Sequence, residues 1–520
     1  MLFSKTAHKN YFIILLLITI LYTLFLSKYS FYAVDHETQL PSILHFFDNQ
    51  LFQKDFEMQF INPVSVKMLP HLFLFVIAKI SHLSVSPIYF IAYIVIIYST
   101  LLLTYKISYI LTKQRSSSLI VCIMLLLYER NSFLDSSSFN IMHFQVVPYF
   151  VAVPLHLLCF YLVLQKLYLP SVFICSLLFY IHGQISMFTI IPILTTIGFS
   201  SKKLTSVVKY LLLFSILVSP MLISLTCKFN PIAETLPKHS ILELTMFRVP
   251  HHIFSRPWKL EVFMLIIFSI FIMLKFNKNR FKKEVSYWIY ALIAIYISGI
   301  IFVRFIPVDF IMLLYCLRVD VFLRIFFFIL LSFSLSDVVN SILQKNIFRK
   351  YSRLYLLFMV IQILLLIMIF IFSPPKFRLL KRIGYPYTPL TNLTDYIKNN
   401  TPKNSLFITY PFESSFRLYA QRSTVVNFKT NPIGWGSSLQ DKWMERLHDL
   451  CNVKQFQARG LSVEKECFAG YKALSLEDFI TLCDKYGADY FLTFLGQENI
   501  NCKNLLVYRN SSGCLCRCPK

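Results

Sequence analysis

Apolar residues recur along this chain in blocks of roughly 15 to 25, divided by short polar stretches, and blocks of that length predict membrane-crossing helices. The expected crossings are 11–29, 87–111, 117–128, 141–164, 170–180, 184–199, 204–225, 258–275, 285–303, 310–334 and 354–372, about eleven in all. The block 69–84 is left out of that count. It is apolar but short and carries His71, Lys79 and His82. If it crossed, the basic run 106–115 would lie outside, against the tendency of Lys and Arg to stay in the cytoplasm. Read as a re-entrant or surface-lying helix, it leaves the runs 106–115, 165–166, 202–203, 275–283 and 344–353 on one side. The amino terminus, MLFSKTAHKN before an apolar run, then reads as a retained signal anchor facing the cytoplasm.

After Pro374-Pro375 the pattern changes to short alternating stretches with turn residues. Segments 391–399 and 438–450 read as helices, and 406–410, 424–428, 490–494 and 505–508 as strands. Ser475 and Asp478 form a predicted capping box, and Gly487 suits the end of the helix it starts. The expected fold class is an α-helical polytopic membrane protein with re-entrant or juxtamembrane helices. Its transmembrane domain is 1–373, with a first outer loop at 31–86, and a small extracytoplasmic α/β domain spans 374–520.

Composition agrees: 56% of residues are hydrophobic, 52 are Phe, and mean hydropathy is +0.60, more than a soluble core can use. Lys and Arg number 51 against 26 Asp and Glu, a formal charge of +25. Because the basic residues cluster between apolar blocks, the charge reports topology; no nucleic acid is expected, and membrane lipids or phosphate-bearing lipid substrates are the natural partners. The tail also holds seven cysteines, Cys451, Cys467, Cys483, Cys502, Cys514, Cys516 and Cys518. In an oxidising compartment two or three disulfides are expected, with at least one sulfur left over. The terminal CLCRC is alternatively a metal site, although its spacing is not that of structural zinc.

Candidate chemistry begins in the polar insert 31–59. Asp35 and Glu37 stand at its mouth, followed by a helix-like stretch, 38–47, with Leu40, Ile43, Leu44 and Phe47 on one side. Acids held at a membrane surface serve as a general base for an acceptor hydroxyl or bind a divalent metal such as Mg or Mn; the alternative is a solvated loop. His36 reads as a packing or hydrogen-bonding residue, and Asp48, Asp55 and Glu57 as a solvated face. A second cluster, FRVPHHIFSRPW, concentrates Arg248, His251, His252 and Arg256, residue types that hold phosphate oxygens or anchor a chain at the headgroups. His182 interrupts an apolar stretch. Arg318 and Asp320 lie inside another, where an ion pair between helices competes with a lipid-headgroup contact. In the tail, Arg417 and Arg422 read as structural or as grips on an acceptor. Soluble-enzyme signatures such as G-x-G-x-x-G, G-x-S-x-G and H-E-x-x-H are missing.

Acids at the start of the first outer loop, surface-lying helices after them and a terminal soluble domain together resemble the polytopic GT-C-type glycosyltransferases, which use lipid-phosphate-linked sugars. The blocks AVDHETQLPSILHFFDNQLFQKDF, FRVPHHIFSRPW and FRLYAQRSTVVNFKTNP resemble an uncharacterised family of bacterial multi-pass proteins that carry them in this order. The first resemblance implies Asp35 and Glu37 as catalytic acids or metal ligands, and 38–84 as the surface-lying helices. It implies a polyprenyl-phosphate sugar donor, a lipid or glycan acceptor of the cell envelope, and a place in the bacterial inner membrane. Arg248, His251, His252, Arg256, His182 and Arg318 are the expected substrate contacts. A flippase of lipid-linked glycans and a non-catalytic membrane scaffold are the competing classes.

Overall fold

The computed structural model describes residues 5–32, 35–58, 67–128, 141–226, 240–250, 257–276, 280–306, 308–343, 389–429, 437–494, 497, 500, 502 and 504–519. The helices of the amino-terminal part are α1 (Lys5–Phe25), α2 (His36–Phe47), α3 (Leu69–Ser81), α4 (Val85–Thr112), α5 (Arg115–Tyr128), α6 (Pro148–Leu164), α7 (Tyr168–Ile181) and α8 (Gly183–Ser201). They continue as α9 (Leu204–Thr226), α10 (Ile241–Arg248), α11 (Pro257–Phe276), α12 (Lys282–Arg304), α13 (Asp309–Leu314) and α14 (Asp320–Leu343). The carboxy-terminal part contains α15 (Pro389–Asn400), β1 (Leu406–Ile408), α16 (Ser415–Ala420), β2 (Ser423–Thr424) and α17 (Ser437–Cys451). It ends with α18 (Val463–Ala473), α19 (Leu476–Tyr486), β3 (Tyr490–Phe494), β4 (Leu506–Asn510) and β5 (Gly513–Arg517).

These elements divide into two compact units. One comprises Met1–Tyr29, Pro87–Leu222 and His251–Ile383; the other comprises Ser30–Ser86, Ile223–Pro250 and Gly384–Lys520. In the first unit, four helices among the described residues are long and apolar enough to cross a membrane: α4, α8, α9 from Leu204 to Ser224, and α12. The chain is an integral membrane protein. Ile13, Leu17 and Leu21 on α1 and Leu212, Ile216 and Ile223 on α9 stay exposed, as lipid-facing positions do. Inside, Phe160 packs tilted against Trp288 and edge-on to Phe326, and His156 bonds Thr189 Oγ1 at 2.8 Å while lying against Phe322. Small residues let α6, α7 and α8 approach: Ser171 donates to the Cys159 carbonyl at 3.1 Å and Ser186 to the Cys175 carbonyl at 2.7 Å.

The expected span 310–334 is broken. The backbone turns left-handed at Tyr315, with φ 47°, and passes through a 3₁₀ turn, Cys316–Val319, before α14 begins. Gly299 of α12 makes room for this break, since a Cβ there would stand 2.7 Å from that of Cys316. The expected span 141–164 is helical only from Pro148, and the expected span 354–372 lies outside the described residues.

The second unit is built on a sheet of order β2-β1-β3-β5-β4, with β1 parallel to both β2 and β3, and β5 antiparallel to β3 and β4. Its core gathers Leu393, Ile397, Phe407, Phe416, Leu492 and Leu515. The predicted capping box at Ser475 and Asp478 forms, and Gly487, at φ 63°, ends α19. Disulfides join Cys451 to Cys467 and Cys483 to Cys518. Within CLCRC, Cys514 to Arg517 belong to strand β5, and Cys518 is the partner of Cys483. The segment Ser30–Ser86 belongs to this unit. There α3, only 13 residues long, packs on α2, and at 1.5 Å per residue it reaches about 20 Å, short of a bilayer core.

Candidate functional site

Asp35 starts α2 as its amino-terminal cap residue, its carbonyl accepting from the amides of Thr38 and Gln39 at 3.2 and 3.1 Å. Glu37 sits in the first turn, where the helix dipole favours an acid. It is buried, and its Oε2 accepts from Lys429 Nζ at 2.6 Å and from the Ser414 hydroxyl. Arg248, at the end of α10, donates to the Lys429 carbonyl at 2.6 Å and lies over the Phe428 ring at 5.1 Å. The capping box of Ser240 and Glu243 fixes the start of α10, and so the place of Arg248 one helix length later. An acid of the segment Ser30–Ser86, a lysine of the tail and an arginine between them in sequence therefore meet in the second unit.

Glu413 joins this group. It follows β1, in the turn before α16, and its carboxylate accepts from the Ser415 hydroxyl. Burial pushes its carboxyl above the ordinary range and the charge of Glu37 adds to that, while Ser415 and Lys429 pull the other way. Because β1 is flanked by β2 on one side and β3 on the other, the turn after β1 lies where the chain's path through the parallel strands reverses. Ligand crevices of α/β sheets open at such points. The sequence reading missed Glu413; an acid beside Ser414-Ser415 just past a predicted strand is the signal that marks it.

Asp55 and Glu57, read from the sequence as a solvated face, are buried instead. Both pair with the buried Arg417 of α16: Arg417 Nη2 lies 3.1 Å from Asp55 Oδ1, and Nη1 meets Glu57 Oε2. Asp55 Oδ2 also accepts from the Thr424 amide at 3.1 Å, filling a donor on edge strand β2. Alternation of apolar and polar residues gives no sign of a distant partner, which is why these acids look exposed in sequence. Asp48, half-buried, pairs with Lys403 at 2.7 Å. Arg422 donates to the carbonyls of Lys398 and Thr401 at 2.7 and 2.6 Å, closing the end of α15. His36 is buried, accepts from the Tyr32 amide at 3.2 Å and meets the His71 ring edge-on.

His182 and Arg318 meet in the first unit. His182 is the extended residue between α7 and α8, and its Nδ1 accepts from the Ile185 amide at 3.4 Å. Gln184 Oε1 accepts from Arg318 Nη1 at 3.0 Å, and its Nε2 donates to the Leu313 carbonyl at 2.7 Å. His182, Gln184 and Arg318 line a narrow cavity with about 10 Å³ of water-accessible room, at the break before α14. Irregular backbone is tolerated within membrane helices where it borders such a cavity. The ion pair expected between helices at Asp320 forms along α14 instead, with Arg324 at 3.3 Å. His251, His252 and Arg256 lie outside the described residues.

Lys429 and Ser414 both donate to Glu37 Oε2, so that oxygen already faces the positive charge of the lysine. Among the described residues no three His, Cys, Asp or Glu side chains gather as a metal site.

Residues 389–450 match a family model described as a domain of unknown function, DUF6798. The match spans α15 to α17 and includes Glu413, Ser414, Arg417 and Lys429. No curated protein matches the sequence. Among solved structures the chain is similar to the oligosaccharyltransferase of Archaeoglobus fulgidus, crystallised with a disulfide-tethered acceptor peptide. The TM-score is 0.43 and the identity 12%, over 95% of this chain and 70% of that one.

Proposed function

We propose that this protein is a membrane glycosyltransferase that moves a sugar from a polyprenyl-phosphate carrier to a lipid or glycan acceptor of the cell envelope. The observation that carries the reading is the convergence of Glu37, Glu413 and Lys429, with Arg248 holding the lysine's backbone. Two carboxylates in unlike surroundings, one paired with a cation and one buried beside it, form a proton-handling set next to a phosphate-binding charge. The acceptor hydroxyl gives its proton to a carboxylate while its oxygen bonds the anomeric carbon. The carbon–oxygen bond to phosphate breaks in the same displacement, and the electron pair leaves on the phosphate, which Lys429 steadies. Arg248 acts through Lys429; Asp35, at the head of the same helix, is the second candidate base. The resemblance to the GT-C enzymes, in which an acidic pair opens the first outer loop, supports this assignment of Asp35 and Glu37. His182 and Arg318 belong to the other unit and enter no step here.

Replacing Asp35 by Asn and Glu37 by Gln, with membrane insertion confirmed, tests the reading in cells. The expected result is loss of a glycan from the envelope profile. Unchanged glycans in both variants would sink the assignment.

A further inference from the structure

A second cavity in the first unit, larger than the one at Arg318, has about 170 Å³ of water-accessible room among α1, α4 and α6. Leu15, Leu102 and Ile110 give it apolar walls. Tyr11, Phe12, Tyr105, Tyr109 and Tyr161 complete the lining, with Lys106 among them. Lys106 stands 5.8 Å from the centres of both the Phe12 and Tyr161 rings, and Arg115 lies over the Tyr11 ring at 5.4 Å. No carboxylate among the described residues forms an ion pair with Lys106 or Arg115. An ammonium in a membrane helix is costly unless something anionic meets it, and rings alone supply a fraction of that compensation.

We infer that this cavity binds an anionic phospholipid, its phosphate between Lys106 and Arg115 and the start of an acyl chain against Leu15, Leu102 and Ile110. The mixed lining favours an amphiphile over free phosphate, which has no use for apolar walls. Basic pockets between membrane helices bind lipid headgroups by this division of labour. The site is independent of the proposed transfer reaction and uses none of its residues.

The test is retention of lipid by the purified full chain, read by native mass spectrometry with phosphatidylglycerol against phosphatidylcholine of matched chains. The wild-type protein is expected to retain phosphatidylglycerol selectively. Lys106→Gln should weaken that retention about fivefold, the worth of one basic residue near an anionic headgroup, and Lys106→Arg should keep it. Lys202→Gln, on an exposed turn, should leave it unchanged. Equal retention of the two lipids by the wild-type chain, or full selectivity in the Lys106→Gln, Arg115→Gln double variant, overturns the proposal. So does displacement of the lipid by millimolar inorganic phosphate, which would mark the site as one for the free anion.

Discussion

Arg417 shows how far a single side chain reaches in this protein. Its guanidinium is buried with two carboxylates from a segment more than three hundred positions earlier in the chain. Removing one member of such a group leaves a buried charge without its partner, so Arg417→Ala is expected to destabilise the second unit by about 3–5 kcal/mol. A thermal or denaturant melt of the purified chain measures this, and a loss within the range of surface substitutions would refute the buried triad. Glu413 permits a second prediction. Its carboxyl is raised, so the folded chain holds that proton more tightly than the unfolded one, and stability falls as pH rises from the ordinary carboxylate range through the raised value. Glu413→Gln should therefore melt higher than wild type at neutral pH while losing activity by about a hundredfold or more, if it takes the acceptor's proton. The acid limb of the pH–rate profile should go with it. Asp35, Glu37 and Arg248 stand out in the sequence as candidates because acids and an arginine beside apolar blocks are conspicuous; the surroundings of Glu413, Asp55 and Glu57 do not show there, because their partners lie far away in sequence.

At the scale of elements, α2 and α3 are held together by histidine. His71 is fully buried, its Nε2 2.6 Å from Gln39 Oε1 and its ring against His36. Burial, and then the neighbouring His36, hold its pKa well below the ordinary histidine value. The unfolded chain therefore takes up the proton first, and the stability tied to neutral His71 is present above the ordinary histidine pKa and lost as pH falls below it. Melting temperature should drop on acidification through about pH 6.5, and His71→Gln should flatten that drop; the same slope in both proteins would contradict the account. Helices α15 and α17 and strand β3 were visible from periodicity and turn residues. Strand β5 was hidden because three cysteines in CLCRC invite a reading about sulfur, while Cys516 pairs with Phe491 across an ordinary antiparallel ladder. The break at Tyr315 was hidden for another reason: Arg318 and Asp320 mark polarity in the stretch but not a change of backbone direction, and the close approach of Cys316 to Gly299 is seen only in the packing.

Across the whole molecule, the apolar blocks announce a membrane protein, while the grouping of Ser30–Ser86 with the tail is invisible to any local pattern. It depends on Glu37, Asp55 and Glu57 finding Lys429 and Arg417. That grouping places the proposed chemistry in one unit and gives the tail a part in it. A flippase would tolerate conservative loss of these carboxylates, and a scaffold would depend on the tail but not on Glu37. The measurement that separates them is transfer of labelled sugar from a polyprenyl-phosphate donor to extracted envelope acceptors by the purified, reconstituted full chain. The account predicts time-dependent transfer by the wild-type protein, reduced about a hundredfold or more in Glu37→Gln and in Lys429→Met. Transfer that is undiminished in both variants would contradict it.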